Sequence, residues 1–419
     1  MIDAVDFPER ARTFRLTDAD LQDDPFAFYA RLREECPVVF NHHGAGSALL
    51  AGTPGCWVLS RYDDCRAALQ DAESFSSEIW RRAPDPIALA TAQLAPPVEG
   101  LVRGAIPQAI DPPLHAKYRY PLAAHFALRN VGATMEAEFR ALTRRMLDRI
   151  AGGAAIDFVA DFAVPLPAEY FLTLMGLPRD RMREFFGWMW GTLHANDPQT
   201  RFQSTLAILE FFRTTLAERA RLPRQPRDVI GVLIEAEFGG ERPFTDGERL
   251  NACFLLFLGG LDTTTTVLSN MVAFLATHPE HRDALSADPS LIPRAIEELM
   301  RYEHIVSPPR LLTRDVQMHG QTMRAGDFAT LLLPAAGRDP AQFADPDAVD
   351  FDRANATQNL VFGIGPHRCL GMHLARLELR VALEELHARF PRYRLAPGAR
   401  VERHNGVIRG AHRVPLALA

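Results

Sequence analysis

Lysine is almost absent: Lys117 stands alone among 46 basic residues, a bias we read as genome composition. Acidic residues number 52, so the net charge is −6 and the pI about 6.2. That leaves no cationic surplus to hold nucleic acid or an anionic membrane. Cysteine is also scarce. Cys36, Cys56, Cys65, Cys253 and Cys369 are odd in number, widely spaced and without a CxxC pair. This excludes a disulfide framework and a four-thiolate metal site, and fits a reducing cytoplasm. The first twenty residues lack an apolar stretch, which argues against a signal peptide or membrane anchor. No Gly/Ser linker, repeat or low-complexity block divides the 419 residues, and no G-x-G-x-x-G follows a strand-like run. With 47% apolar and 23% charged residues, the chain is globular rather than disordered.

The dominant pattern is helical. The apolar period predicts helices over 26–34, 62–71, 132–150, 202–217, 291–302 and 370–390. Short β-branched or aromatic runs at 57–60, 328–333 and 414–416 predict a minor sheet component. The longest predicted helix begins at the Thr245/Glu248 capping box and stops at His278-Pro279. Its apolar run at 252–258 is too short to span a bilayer, so it reads as a buried central helix. Residues 82–113 hold seven prolines and no sustained period, which predicts a long structureless loop of the lid or binding kind. Trp188-Met-Trp190 reads either as pocket roof or as helix core.

Chemistry concentrates in Phe362-Gly-Ile-Gly-Pro-His-Arg-Cys-Leu-Gly371. Gly363 and Gly365 permit a tight loop, and Gly371 lets a flat partner approach closely. Cys369 falls at the start of a predicted helix, where unpaired N–H groups and the helix dipole favour a thiolate. A lone thiolate on a glycine-bordered loop suits an axial ligand of haem iron. The other four cysteines read as small core residues. The stretch fills every fixed position of F-G-x-G-x-H-x-C-x-G and so resembles the haem-binding loop of the cytochrome P450 family, the haem-thiolate monooxygenases. The resemblance runs from Asp24-Pro-Phe to the last strand. It implies one mainly α domain with minor β over residues 1–419. Haem b would lie between the long central helix and the cysteine-loop helix.

Further residues take roles from that resemblance. Gly259-Gly260-Leu-Asp262-Thr263 matches A/G-G-x-D/E-T, which implies a groove over the haem where dioxygen binds. Thr263 would then hydrogen-bond the oxygen and Asp262 would relay protons. The residues alone fit equally well a close-packed helix with Thr hydroxyls bonded to i−4 carbonyls. Glu298-Leu-Met-Arg301 matches E-x-x-R, and Arg353 stands where a third, structural partner is expected. His115 and Arg119 in Asp111-Pro-Pro-Leu-His-Ala-Lys-Tyr-Arg, with Arg310 and His367, match the donors to the haem propionates. Arg119, Arg368, His373 and Arg376 suggest a basic docking patch.

The implied activity is hydroxylation of a small hydrophobic substrate with dioxygen, the substrate being terpenoid-like, norisoprenoid or aromatic. Its two electrons would come from an iron–sulfur ferredoxin and its NAD(P)H-dependent reductase. Leu255, Leu258, Val306 and Ile408 are the expected apolar pocket walls. Within the family the similarity is greatest to the camphor-monooxygenase-like group. Arg103 stands where the camphor enzyme has a tyrosine, and pointed inward it would meet a substrate carboxylate or carbonyl. The competing readings are a peroxide-driven peroxygenase, whose resembling members lack the acid–alcohol pair, and a non-catalytic haem sensor.

Overall fold

The computed structural model describes residues 7–50, 52–94, 98–100, 103–127, 131–153, 155–195, 197–223 and 225–418. Pro96 and Pro97 of the proline-rich stretch, and the first six residues, lie outside these. Helices dominate, and they are arranged about Asp246–Thr277. This central helix starts where the sequence places it. Thr245 Oγ1 accepts from Glu248 N at 3.2 Å, and Glu248 Oε2 accepts from Thr245 N at 2.7 Å. It ends at His278, and Pro279 opens the next helix, Pro279–Ala287. Its 32 residues span about 48 Å. Among the described residues it is the only helix long and apolar enough to cross a membrane, but 72% of its apolar window is buried against its neighbours.

Pro165–Met175, Met182–Leu193 and Pro198–Arg219 pack on the central helix, as do Ile292–Tyr302 and Met372–Arg389. The minor sheet component is a five-stranded sheet to one side. Its order is Val38–Asn41, Cys56–Leu59, Phe328–Leu331, Pro309–Leu312 and Phe75–Ser76. Cys56–Leu59 runs parallel to Phe328–Leu331 with Val58 opposite Thr330, and the other pairs are antiparallel.

Two expectations need correction. The 82–113 stretch is not structureless: it contains the helix Pro86–Thr91. Asp85 caps it by accepting from Ile87 N and Ala88 N, and its other oxygen accepts from Gly104 N at 2.8 Å. Pro86 at the first helical position costs no hydrogen bond, which is why a proline-rich run can still start a helix. The 328–333 run leaves the sheet at Leu331, and Leu333–Ala336 forms a helical turn.

Candidate active site

The central helix is buried along most of its length, yet Leu255, Leu258, Gly259 and Thr263 retain accessible surface. Their spacing of three to four residues places them on one face, so that face borders open space. A Cβ on Gly259 would meet nothing within 4 Å. Gly260 behaves differently: a Cβ there would collide with the Phe171 ring. Packing against Phe171 therefore requires a glycine at 260.

Thr263 Oγ1 donates to Gly259 O at 2.7 Å, which leaves the hydroxyl oxygen as an acceptor on the accessible face. Asp262 is buried, and its Oδ2 lies 3.0 Å from His194 Nε2. Sequence reasoning missed this partner because the contact spans 68 residues and neither site has a local signature.

The C-terminal helix Met372–Arg389 brings the cysteine loop to the same region. The buried carboxyl of Glu378 faces the hydroxyl of Thr264, next to Thr263. Burial pushes that carboxyl up to about 8. The loop itself is a tight turn. Gly363 and Gly365 have φ of 62° and 75°, and Cys369 N donates to Phe362 O at 2.7 Å. A Cβ on Gly371 would meet nothing within 4 Å.

Cys56, Cys65 and Cys253 are buried and Cys36 is half-buried, while Cys369 is exposed. Burial by the surrounding protein still pushes the Cys369 thiol up, although part of the residue is accessible. The Gly371 N–H and the charges of Arg119 and Arg376 pull it down.

Around the loop lie four cationic or imidazole donors. His115 and His367 have ring centroids 4.4 Å apart. His115 Nε2 and both His367 nitrogens are buried without a hydrogen-bond partner. His367 Nε2 is 3.8 Å from Asp111 Oδ1, an electrostatic contact too long for a hydrogen bond. Burial, with His367 and Arg119 adding repulsion, pushes His115 down to about 4. Arg310 is buried and donates to its neighbour's carbonyl, Pro309 O, at 2.8 Å. Burial lowers it to about 10. Arg119 donates to Arg368 O at 2.6 Å. Among the described residues no carboxylate hydrogen-bonds either arginine. Unpartnered buried imidazole nitrogens beside arginines that lack a carboxylate call for an anion.

Glu298, Arg301 and Arg353 form one buried ion network. Arg301 Nη2 and Nε lie 2.7 and 2.8 Å from the Glu298 oxygens, and Arg353 Nε lies 3.0 Å away. Arg301 also donates to Gly337 O, Pro346 O and Ala348 O, and so ties the segment before the cysteine loop to its helix.

Of the expected pocket walls, Val306 and Ile408 face each other across an antiparallel bridge. Arg103 does not point inward: it is exposed and donates to Trp80 O at 3.3 Å, which corrects its placement in the pocket. Arg376 is not free for docking. It pairs with Glu297 at 2.6 Å and lies over the Phe362 ring. Trp190 stacks on His194 rather than roofing a cavity by itself.

Residues 170–392 match the family model described as Cytochrome P450. The probable cytochrome P450 127A1 of Sinorhizobium fredii is 31% identical, over 94% of this chain and 90% of that protein. The vitamin D(3) 25-hydroxylase of Pseudonocardia autotrophica is 30% identical, over 94% of each. The solved structure of a mutant of P450 EryK in complex with erythromycin B superposes with a TM-score of 0.81 at 29% identity, covering 97% of this chain and 98% of that one. The fold is therefore that of a haem-thiolate monooxygenase. The chain belongs to the cytochrome P450 family, and its cofactor is haem b. The residues present fit that group: an accessible sulfur on a helix-initiating loop, open glycines at 259 and 371, and buried donors awaiting carboxylates.

Proposed function

We propose that Cys369 Sγ is the axial ligand of the haem iron and that His115, Arg119, Arg310 and His367 bind the propionates. The reading is carried by one observation: the only exposed cysteine of the five lies on the loop bordered by those four donors. Phe362, Gly363, Gly259 and Gly371 complete the cradle, and the Glu298–Arg301–Arg353 network holds the loop in register. The haem, once bound, supplies dioxygen activation, and the net reaction converts a C–H bond, dioxygen, two electrons and two protons into an alcohol and water.

This chain's own residues set the protons and the substrate. Thr263 Oγ1 presents a hydroxyl to the open face, and Asp262 Oδ2 is the buried carboxylate that gathers protons behind it. Leu255, Leu258, Val306 and Ile408 offer hydrocarbon surface, which suits a compact hydrophobic substrate of the terpenoid, norisoprenoid or aromatic kind. With Arg103 turned outward, no arginine at that position selects a carboxylate. Electrons come from a separate iron–sulfur ferredoxin with its NAD(P)H-dependent reductase, which docks beside the exposed Arg368 in the cytoplasm.

A spin-state titration of the haem-loaded protein tests the pocket. Terpenoid, norisoprenoid and aromatic ligands are expected to convert low-spin to high-spin haem by displacing distal water. A panel in which only charged ligands shift the spectrum would contradict the apolar reading.

A further inference from the structure

Asp262 is buried, so it needs a route to solvent if it is to supply protons repeatedly. A line of three imidazoles leads outward from it. His194 lies at the C-terminal end of the helix Met182–Leu193, its ring stacked on Trp190 at 4.2 Å, with Nε2 on Asp262 Oδ2 at 3.0 Å. His404, on the strand Glu402–His404, has its ring centroid 4.7 Å from that of His194. His412, on the paired strand Gly410–Arg413, lies 5.9 Å beyond and is exposed beside Glu402.

His404 is the unusual member. Both of its ring nitrogens are buried without a hydrogen-bond partner. Leaving a buried polar group unsatisfied is costly, and in a native fold it points to a role beyond packing. The groups facing it are His194, Asp262, His412 and Arg409, and burial holds its ring in the neutral form, down to about pH 3. A neutral imidazole passes protons without becoming a stable cation: one arrives at one nitrogen as another leaves from the other.

We propose that His412, His404 and His194 conduct protons from solvent to Asp262. This rests on Asp262 acting as the proton donor described above. In each transfer the Asp262 carboxylate takes the proton from His194 Nε2 while one arrives at His194 Nδ1 from His404. His404 is reloaded from His412, and ring rotation restores the tautomers. One proton moves from water to Asp262, and no electrons are exchanged. With the ring centroids 4.7 Å apart, the step between His194 and His404 requires a ring rotation or a bridging water.

Three variants of the haem-loaded protein test this: His194→Gln, which keeps an N–H donor for Asp262; His404→Phe, which keeps the ring packing; and Asp262→Asn. The first readout is NADH oxidation with a surrogate plant-type ferredoxin and its reductase in H2O and D2O, with β-ionone as the probe. The second is ring N–H exchange into D2O, followed by nuclear magnetic resonance of the ¹⁵N-histidine-labelled, carbon monoxide-bound protein. All three variants are expected to slow NADH oxidation by about tenfold or more with a larger solvent isotope effect. His404→Phe is also expected to slow exchange at His194 about tenfold or more. Unchanged spin state and haem content show that the fold has survived. If Asp262→Asn is defective while the histidine variants match the parent in rate, isotope effect and exchange, the path is overturned and Asp262 keeps its role. If Asp262→Asn is silent as well, the proton-donor reading fails and takes the path with it.

Discussion

Glu378 and Thr264 meet between the two helices that frame the site, the buried carboxyl of the C-terminal helix facing the hydroxyl of the central helix. Because Met372 begins the helix, six residues and about 9 Å separate its start from Glu378.

Burial raises the Glu378 carboxyl from 4.5 to about 8. Between those values the folded chain keeps a proton that the unfolded chain has released, so stability from this group is full below pH 4.5 and falls as pH rises to 8. Glu378→Gln removes the titration while keeping a polar partner for Thr264. Its stability is expected to exceed that of the parent above pH 8, by on the order of a few kcal/mol, and to converge with it near pH 4.5. Melting curves across that range check the sign. A gap independent of pH would contradict it.

Thr263 carries a hydroxyl on the open face of a helix whose backbone hydrogen bonds do not need it. Thr263→Ala is therefore expected to leave haem content and fold unchanged. It should divert several-fold more of the NADH electrons to hydrogen peroxide. Product and peroxide measured together against NADH consumed decide the matter, and undiminished coupling would remove Thr263 from the mechanism.

The anion clamp makes a separate prediction. Among the described residues, Arg119 and Arg310 donate to backbone carbonyls and hydrogen-bond no carboxylate. Replacing both by alanine is expected to weaken haem retention by on the order of 10²-fold, with helix content unchanged. Haem transfer to an acceptor protein reads the affinity, and transfer at the parent rate would show that the propionates bind elsewhere.

Local patterns carried much of this structure. The Thr245/Glu248 box placed the central helix to the residue, and the glycine pattern around Cys369 placed a tight turn before a helix. Glu298 and Arg301, three apart, needed only one helical turn to meet. What stayed hidden depends on distant chain segments. Asp262 meets His194 through tertiary packing, Gly260 is small because Phe171 lies on it, and Arg103 turns to the Trp80 carbonyl. The Pro86 helix was masked because prolines before and after it outweighed the Asp85 cap in the local pattern.

The central claim concerns the sulfur of Cys369. Reduced, haem-loaded protein under carbon monoxide is expected to show the strongly red-shifted Soret band of a thiolate ligand, and Cys369→His to lose that band while still binding haem. A parent without the band, or a Cys369→His variant that keeps it, would contradict the account.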